Sequence, residues 1–304
     1  MPSPFTQIAH IDSQSSIPAA LSIWELYLLD QGRSEFTVKS FRGDIHLLAK
    51  FFPPDKVIGD ITTTDLKHFI DWLQNGRGRN IPCSPKSLAR RVTTLKSLFR
   101  WLAEHGRILH DPASSLLQHS VISPLPEVLT SQECQRILDS SLALSRKKEA
   151  DFRPVTLLQL LLETGIKKSE CLNLKQVHVF SENEDNYIFV RYPDQKDRNK
   201  ERKISVSDEW MDLYQGYLQQ YQPDEAIFPW SPRRLEYLLE DIGKLAGLEK
   251  HLSFSMCRWN CGLRDWHAGL EQDAIRQKLG ISKIQWREIS RKLKQLLPIY
   301  TVVG

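Results

Sequence analysis

Cysteine is scarce in this chain: five in 304 residues, an odd number. That excludes a disulfide framework and points to a reducing compartment, so a cytoplasmic location is expected. Long hydrophobic runs are also missing. The longest nearly apolar stretch, Val155 to Leu162, is broken by Thr156 and Gln159 and falls far short of the ~20 residues a membrane span needs. The start, Met1-Pro-Ser-Pro-Phe-Thr-Gln, has neither a basic nor an apolar signal region, and no secretory signal is expected. There is no Gly-x4-Gly-Lys-Ser/Thr and no Gly-x-Gly-x-x-Gly, so nucleotide-cofactor loops of those two kinds are excluded. Cys257 and Cys261 sit one helical turn apart, but no further ligand completes a zinc spacing. They read as core cysteines rather than ligands. His105, His110 and His119 form no pattern. Neither a metal nor a cofactor is expected.

An excess of one charge is missing as well. Forty-one basic against 37 acidic residues leave +4, and only the distribution can then point to a partner. Lys86, Arg90, Arg91, Lys96, Arg100 and Arg107 face one acid, Glu104, over residues 86–107. Seven basic residues from Arg276 to Lys294 face Glu288 alone. Asn75-Gly76-Arg77-Gly78-Arg79 puts two arginines in one glycine loop, read as solvated with phosphate contact as the alternative. Hydrophobic residues at 41% and charged residues at 26% are those of a globular chain.

Periodicity predicts a mainly α protein with a small β-hairpin or sheet, in two domains. Residues 1–17, without periodicity, are expected as a flexible arm, and 18–113 as a helical domain. In the latter, Ile23, Trp24, Tyr27 and Leu28 lie on a first helix ending near Gly32, and Ser34 caps a second that Pro53-Pro54 stops. Thr63 or Thr64 caps a third helix, Asp65 to Leu73. A fourth starts at Pro85, with the stripe Leu88, Val92, Leu95, Phe99 and Leu102. Lys86, Arg90, Lys96 and Arg100 fall largely on other faces, which makes the helix a candidate DNA-contact surface, with Lys86, Arg90, Arg91 and Lys96 as its expected contacts. Residues 114–126 read as a linker. In 127–304, Thr130-Ser131-x-Glu133 opens a helix, Val155–Thr164 is a buried helix ending at Gly165, and Tyr187–Tyr192 is a strand. A polar turn, Pro193–Asn199, leads to a return strand Arg202–Val206, and five helices follow.

The order of these pieces resembles the tyrosine recombinase (phage integrase) family over about residues 18–295. Trp24-x-x-Tyr27-Leu28, Ile61-Thr62-x-x-Asp65-Leu66, Leu95-x-x-x-Phe99-x-Trp101-Leu102 and Asp111-Pro112-Ala113 match its helical core-binding domain. Leu160-Leu161-x-x-Thr164-Gly165-Ile166-x-x-Ser169-Glu170-x-Leu172-x-Leu174 matches its catalytic-type domain most strongly. The resemblance implies two domains that clamp double-stranded DNA, with this chain or another recombinase subunit as a second partner. It also implies a tyrosine that attacks a phosphodiester, two arginines that clamp the phosphate, a hairpin lysine that protonates the leaving oxygen, and two further assisting residues. Guanidinium forks suit a transition state carrying extra negative charge.

Carried over residue by residue, the set is degenerate. Lys167 stands where the first arginine belongs, Lys196 matches the hairpin lysine with Lys200 as competitor, and Arg258 matches the second arginine. Ser255 and Ile281 replace the two histidine-type residues, and Ser290 stands at the nucleophile position. Lys200 and Arg202 join Lys86, Arg90, Arg91 and Lys96 as expected DNA contacts. The reading is a DNA-binding family member that does not cleave DNA by itself. The alternatives are an active recombinase using Tyr300 or a partner's tyrosine, and a protein scaffold, which the basic residues of the first domain disfavour.

Overall fold

The computed structural model describes residues 10–77, 81–117, 124–146, 150–182 and 185–300, without the side chain of Lys196. Gly78 and Arg79 of the glycine loop, linker residues 118–123 and the hairpin lysine's side chain therefore lie outside the described residues. The chain divides into two compact units, Met1–Ser123 and Pro124–Gly304.

The first unit contains helices α1 (Ile17–Asp30), α2 (Glu35–Phe51), α3 (Thr63–Gln74) and α4 (Pro85–Glu104). Ser16, Ser34, Thr62 and Ser84 each accept a backbone N–H three residues on, which starts the four helices in place. The α3 cap is thus Thr62, one residue before the expected pair. Asp65 returns the bond to the Thr62 N–H, and this reciprocity decides between adjacent threonines. Trp24, Ile45, Leu48, Leu66, Phe69, Leu95, Phe99 and Leu102 fill the core. The described part of the arm expected to be loose is docked: Ile11 is 1% exposed, its carbonyl accepts from Arg107 at 3.2 Å, and Ser16 pairs with Val57.

The second unit starts with α5 (Ser131–Ser145), α6 (Arg153–Thr164) and the short α7 (Lys168–Leu172). An antiparallel sheet follows in the order β1 (Val179–Glu182), β2 (Asp185–Val190), β3 (Arg202–Ser205). Val179 faces Ile188, and Ile188 faces Ile204, so these apolar side chains share the core side. β1 was not expected; four residues carry too little alternation to read. The polar turn proves to be a 3-10 helix, Gln195–Lys200. Helices α8 (Asp208–Tyr221), α9 (Pro232–Leu245), α10 (Phe254–His267), α11 (Gln272–Lys278) and α12 (Lys283–Tyr300) complete the unit. α6 packs against α5, α8, α9 and α10, which explains its nearly continuous apolar sequence. Asn260 of α10 fixes the entry to α5: its amide donates to the Leu129 carbonyl at 2.8 Å, and its oxygen accepts the Leu129 N–H at 3.0 Å. Among the described residues no helix is long and apolar enough to cross a membrane.

Candidate active-site cleft

The site begins where α6 ends. Gly165 has φ of +59°, and a Cβ there would lie 2.6 Å from Leu279 Cδ2. Only glycine fits this left-handed, crowded turn. The turn delivers Ile166 to the core and Lys167 to the N-cap of α7. The Lys167 N–H donates to Glu170 Oε2 at 2.8 Å. Glu170 in turn holds Arg202 of β3, whose Nη1 and Nη2 donate to Oε1 and Oε2 at 3.0 and 2.9 Å. The Tyr192 hydroxyl also donates to Glu170. Burial alone would raise the Glu170 pKa; the bonds and charge of Arg202, with those of Lys167 N–H and Tyr192, override it and hold it at about 2.

Arg202 has further partners. Its Nε donates to the Lys278 carbonyl at 2.7 Å, and its Nη1 to that of Lys200 at 3.1 Å. Gly280, at φ +56°, closes over it; a Cβ there would lie 2.7 Å from Nη1. The guanidinium of Arg258 donates to the carbonyls of Gly165 and Leu279, tying α10 to the end of α6 and the end of α11. Above this floor opens a cleft of about 470 Å³, lined among others by Lys167, Lys200, Arg202, Arg276 and Ile281. Lys167 reaches it half-exposed, with Nζ 3.6 Å from Glu170 Oε1. Burial pushes its ammonium pKa down; Glu170 opposes this, while Arg258, Arg202 and Lys200 add to it. The cleft thus gathers four cations with Glu201 among its walls; Arg202 and Arg276 are already paired with Glu170 and Asp273.

Four expected site residues stand apart from that chemistry. Ser255 is exposed in the first turn of α10. Ile281 lines the cleft, but packs with Cys261, Ile275 and Leu279. Ser290 lies on α12, where its hydroxyl reaches the Arg287 carbonyl at 3.5 Å. Tyr300 packs beside Val128, Leu263, Leu293 and Leu296, its ring 6.0 Å from that of His267. His267 ends α10 nine residues beyond Arg258, about 13 Å along a helix rising 1.5 Å per residue. Cys257 and Cys261 are buried; burial pushes both thiols up, that of Cys261 to about 11.

The expected DNA contacts divide in the same way. Arg90 donates to the Asp44 carboxylate and to Ser40 Oγ at 3.2 Å, and Arg91 Nε lies 3.3 Å from Asp44 Oδ1. Thr94 completes the buried Asp44 site at 2.8 Å. Arg90, Arg91 and Arg202 therefore neutralise buried carboxylates, where solvent-facing contacts were expected. A buried carboxylate needs such partners. Lys86 is exposed, Lys96 donates to the Ser114 carbonyl at 3.3 Å, and Lys200 pairs with Asp197 at 2.5 Å. Sequence reasoning missed Glu170, Tyr192 and Arg276 as members of the site. The signal for Glu170 was present, a carboxylate in the first turn after Lys167; Tyr192 read only as a strand residue.

Residues 21–106 match the phage integrase N-terminal SAM-like domain, and residues 127–289 match the phage integrase family. The chain belongs to the phage integrase family, the tyrosine recombinases. This recombinase homologue is 21% identical to tyrosine recombinase XerD of Listeria monocytogenes over 284 residues, covering 88% of this chain and 92% of that protein. It is 27% identical to tyrosine recombinase XerC of Corynebacterium efficiens, covering 86% and 82%. Its fold is similar to a lambda integrase dimer bound to a COC' core site, with TM-score 0.70, 16% identity and coverage of 95% and 81%. It is also similar to XerH bound to a palindromic difH substrate, with TM-score 0.69, 16% identity and coverage of 93% and 83%. The family acts in DNA recombination and integration, and the mainly α, two-domain expectation holds.

Proposed function

We propose that this tyrosine recombinase homologue binds double-stranded DNA and does not cleave it by itself. One observation carries the reading: the cleft keeps Lys167 and Lys200 on walls shared with Glu201, above an Arg202 already paired with Glu170, while the resemblance puts Ser290 at the nucleophile position. The cations would hold a phosphodiester, with Lys200 and Lys167 as the more accessible charges. On the first unit, Lys86 and Arg100 are the exposed cations of α4 and would meet phosphates. A serine at 290 needs a base, and Ser255 and Ile281 supply none. Tyr300, packed at the far end of α10 from Arg258, speaks against the relocated nucleophile. Relatives captured on DNA as dimers and tetramers support DNA and a second recombinase subunit as partners. Such a chain acts as an accessory subunit, a competitor at recombination sites, or a regulator.

The test is incubation with end-labelled duplex, including a nicked suicide substrate, followed by native and denaturing gels. The expected result is a shifted band on the native gel and no adduct on the denaturing gel. An adduct mapped to Tyr300 would establish the active enzyme instead.

A further inference from the structure

The first unit carries a cleft of its own. The end of α1 and one face of α4 enclose about 500 Å³, with the rings of Trp24 and Trp101 in the wall. These side chains are 0% and 3% exposed, and among the described residues neither indole N–H has an acceptor. An indole nitrogen only donates, so whatever satisfies it must offer an acceptor. A buried donor left unpaired is costly, and two beside one cleft point to an acceptor held there.

The charges around the cleft agree. Arg33, Lys96 and Arg100 line it against one acid, Glu104. Arg33 and Arg100 are exposed, and among the described residues neither has an ion pair or a side-chain hydrogen bond. Lys96 gives one donor to the Ser114 carbonyl at 3.3 Å and keeps two. Arg33 is set by the turn that ends α1: Gly32 takes a φ of +70°, and the Arg33 N–H donates to the Leu28 carbonyl at 3.0 Å. Three cations against one acid match a dianion better than a singly charged carboxylate.

We propose that this cleft binds a small phosphate monoester. Its ionised oxygens accept only, and guanidinium forks such as those of Arg33 and Arg100 meet two of them at once. Further oxygens accept from the Trp24 and Trp101 indoles at the wall. The half-buried Tyr27 ring, 5.6 Å from that of Trp101, gives the organic part of the ester an apolar surface. The inference does not rest on the DNA-binding reading, although Arg100 serves both.

The experiment uses the full chain with labelled indole nitrogen, and phenyl phosphate as the probe against chloride at equal ionic strength. Eight indole N–H signals are expected, and Trp24→Phe and Trp101→Phe assign two of them. Phenyl phosphate should move those two saturably and leave the others in place. Arg33→Gln with Arg100→Gln should raise the Kd about tenfold or more, the scale of lost charge-assisted hydrogen bonds. Lys39→Gln, at an exposed lysine outside the cleft, should leave it unchanged. The arginine pair is exposed, so it carries the test if an indole variant fails to fold. Equal movement of all indoles, no saturation, or an unchanged Kd in the arginine pair would overturn the inference and leave duplex binding untouched. Movement of the two signals by a short duplex but not by phenyl phosphate would assign the cleft to backbone phosphates, and would overturn it equally.

Discussion

Glu170 and Arg202 close a two-pronged ion pair beneath the cleft, with contacts of 3.0 and 2.9 Å between side chains only 1% and 9% exposed. The pair joins α7 to β3, and through the Lys278 carbonyl it reaches the end of α11. It therefore sets the distance between Lys167 and the 3-10 segment that carries Lys200. Removing one partner leaves the other charge buried and unpaired. Glu170→Gln is expected to destabilise the second unit by roughly 3–5 kcal/mol. Urea unfolding, with hydrogen exchange assigning the loss to α6 and β3, measures it. The double change Glu170→Leu with Arg202→Met should be milder than Glu170→Gln alone.

The same pair gives a pH dependence of known sign. The Glu170 pKa falls from 4.5 to about 2 on folding. The stability it contributes is thus present above the unfolded value and is lost as pH falls from about 4.5 toward about 2. A melt series over that window should show a steeper loss for the native chain than for Glu170→Gln. Parallel curves would mean that other carboxylates dominate acid unfolding.

Much of this was legible because local rules and tertiary packing agree. The caps at Ser34 and Ser84, the buried run of α6 and the glycine after it follow from spacing alone. What escaped reading is long-range pairing. Nothing near Arg90 in sequence announces Asp44, 46 residues away, and nothing near Glu170 announces Arg202. A basic residue on a helix looks the same whether it faces solvent or a buried carboxylate on the next helix. Hence Lys167, Arg258 and Ile281 were expected as site residues only through the family resemblance, and the ion pair between Glu170 and Arg202 was not expected at all.

This pairing separates two kinds of basic residue on α4. Arg90→Gln with Arg91→Gln should destabilise the first unit by several kcal/mol, because Asp44 is left buried with Thr94 alone from this set. Lys86→Gln should leave the thermal midpoint unchanged and flatten the log–log salt dependence of DNA binding by roughly 0.9 for one lost phosphate contact. Midpoints by calorimetry and binding across a salt series distinguish them. An unchanged midpoint in the arginine pair would restore those residues as contact candidates.

The C-terminal segment is docked within the same chain. Leu296 is buried with Val128, Leu263 and Leu293, and Tyr300 lies against His267. Truncation after Lys294 should therefore lower the stability of the second unit by roughly 2–5 kcal/mol, the scale of a lost core leucine. Sedimentation should find the oligomeric state unchanged. Loss of oligomers with stability unchanged would instead assign the segment to a neighbouring subunit.

Restoring cleavage should take more than restoring the nucleophile. Ser290→Tyr adds a phenol on α12, but an in-line attack also needs a base and a complete charge clamp around the phosphate. Ser255 is exposed, so Ser255→His is sterically free. Ile281 is different: it packs with Cys261, Ile275 and Leu279, and an imidazole there loses apolar contact and must find a hydrogen-bond partner. Arg258 must also share its donors between a phosphate and the Gly165 and Leu279 carbonyls. Ser290→Tyr alone is therefore expected to give no adduct on a suicide substrate. Lys167→Arg, Ser255→His, Ile281→His and Ser290→Tyr together have the complete set and should give one if the folded unit survives Ile281→His, which a melt of that single variant checks first. Because the groups of one site act as a unit, the four single changes should not add up to the combined effect. Efficient cleavage by Ser290→Tyr alone would show that Lys167, Ser255 and Ile281 already suffice, and the chain would then differ from an active recombinase by one residue.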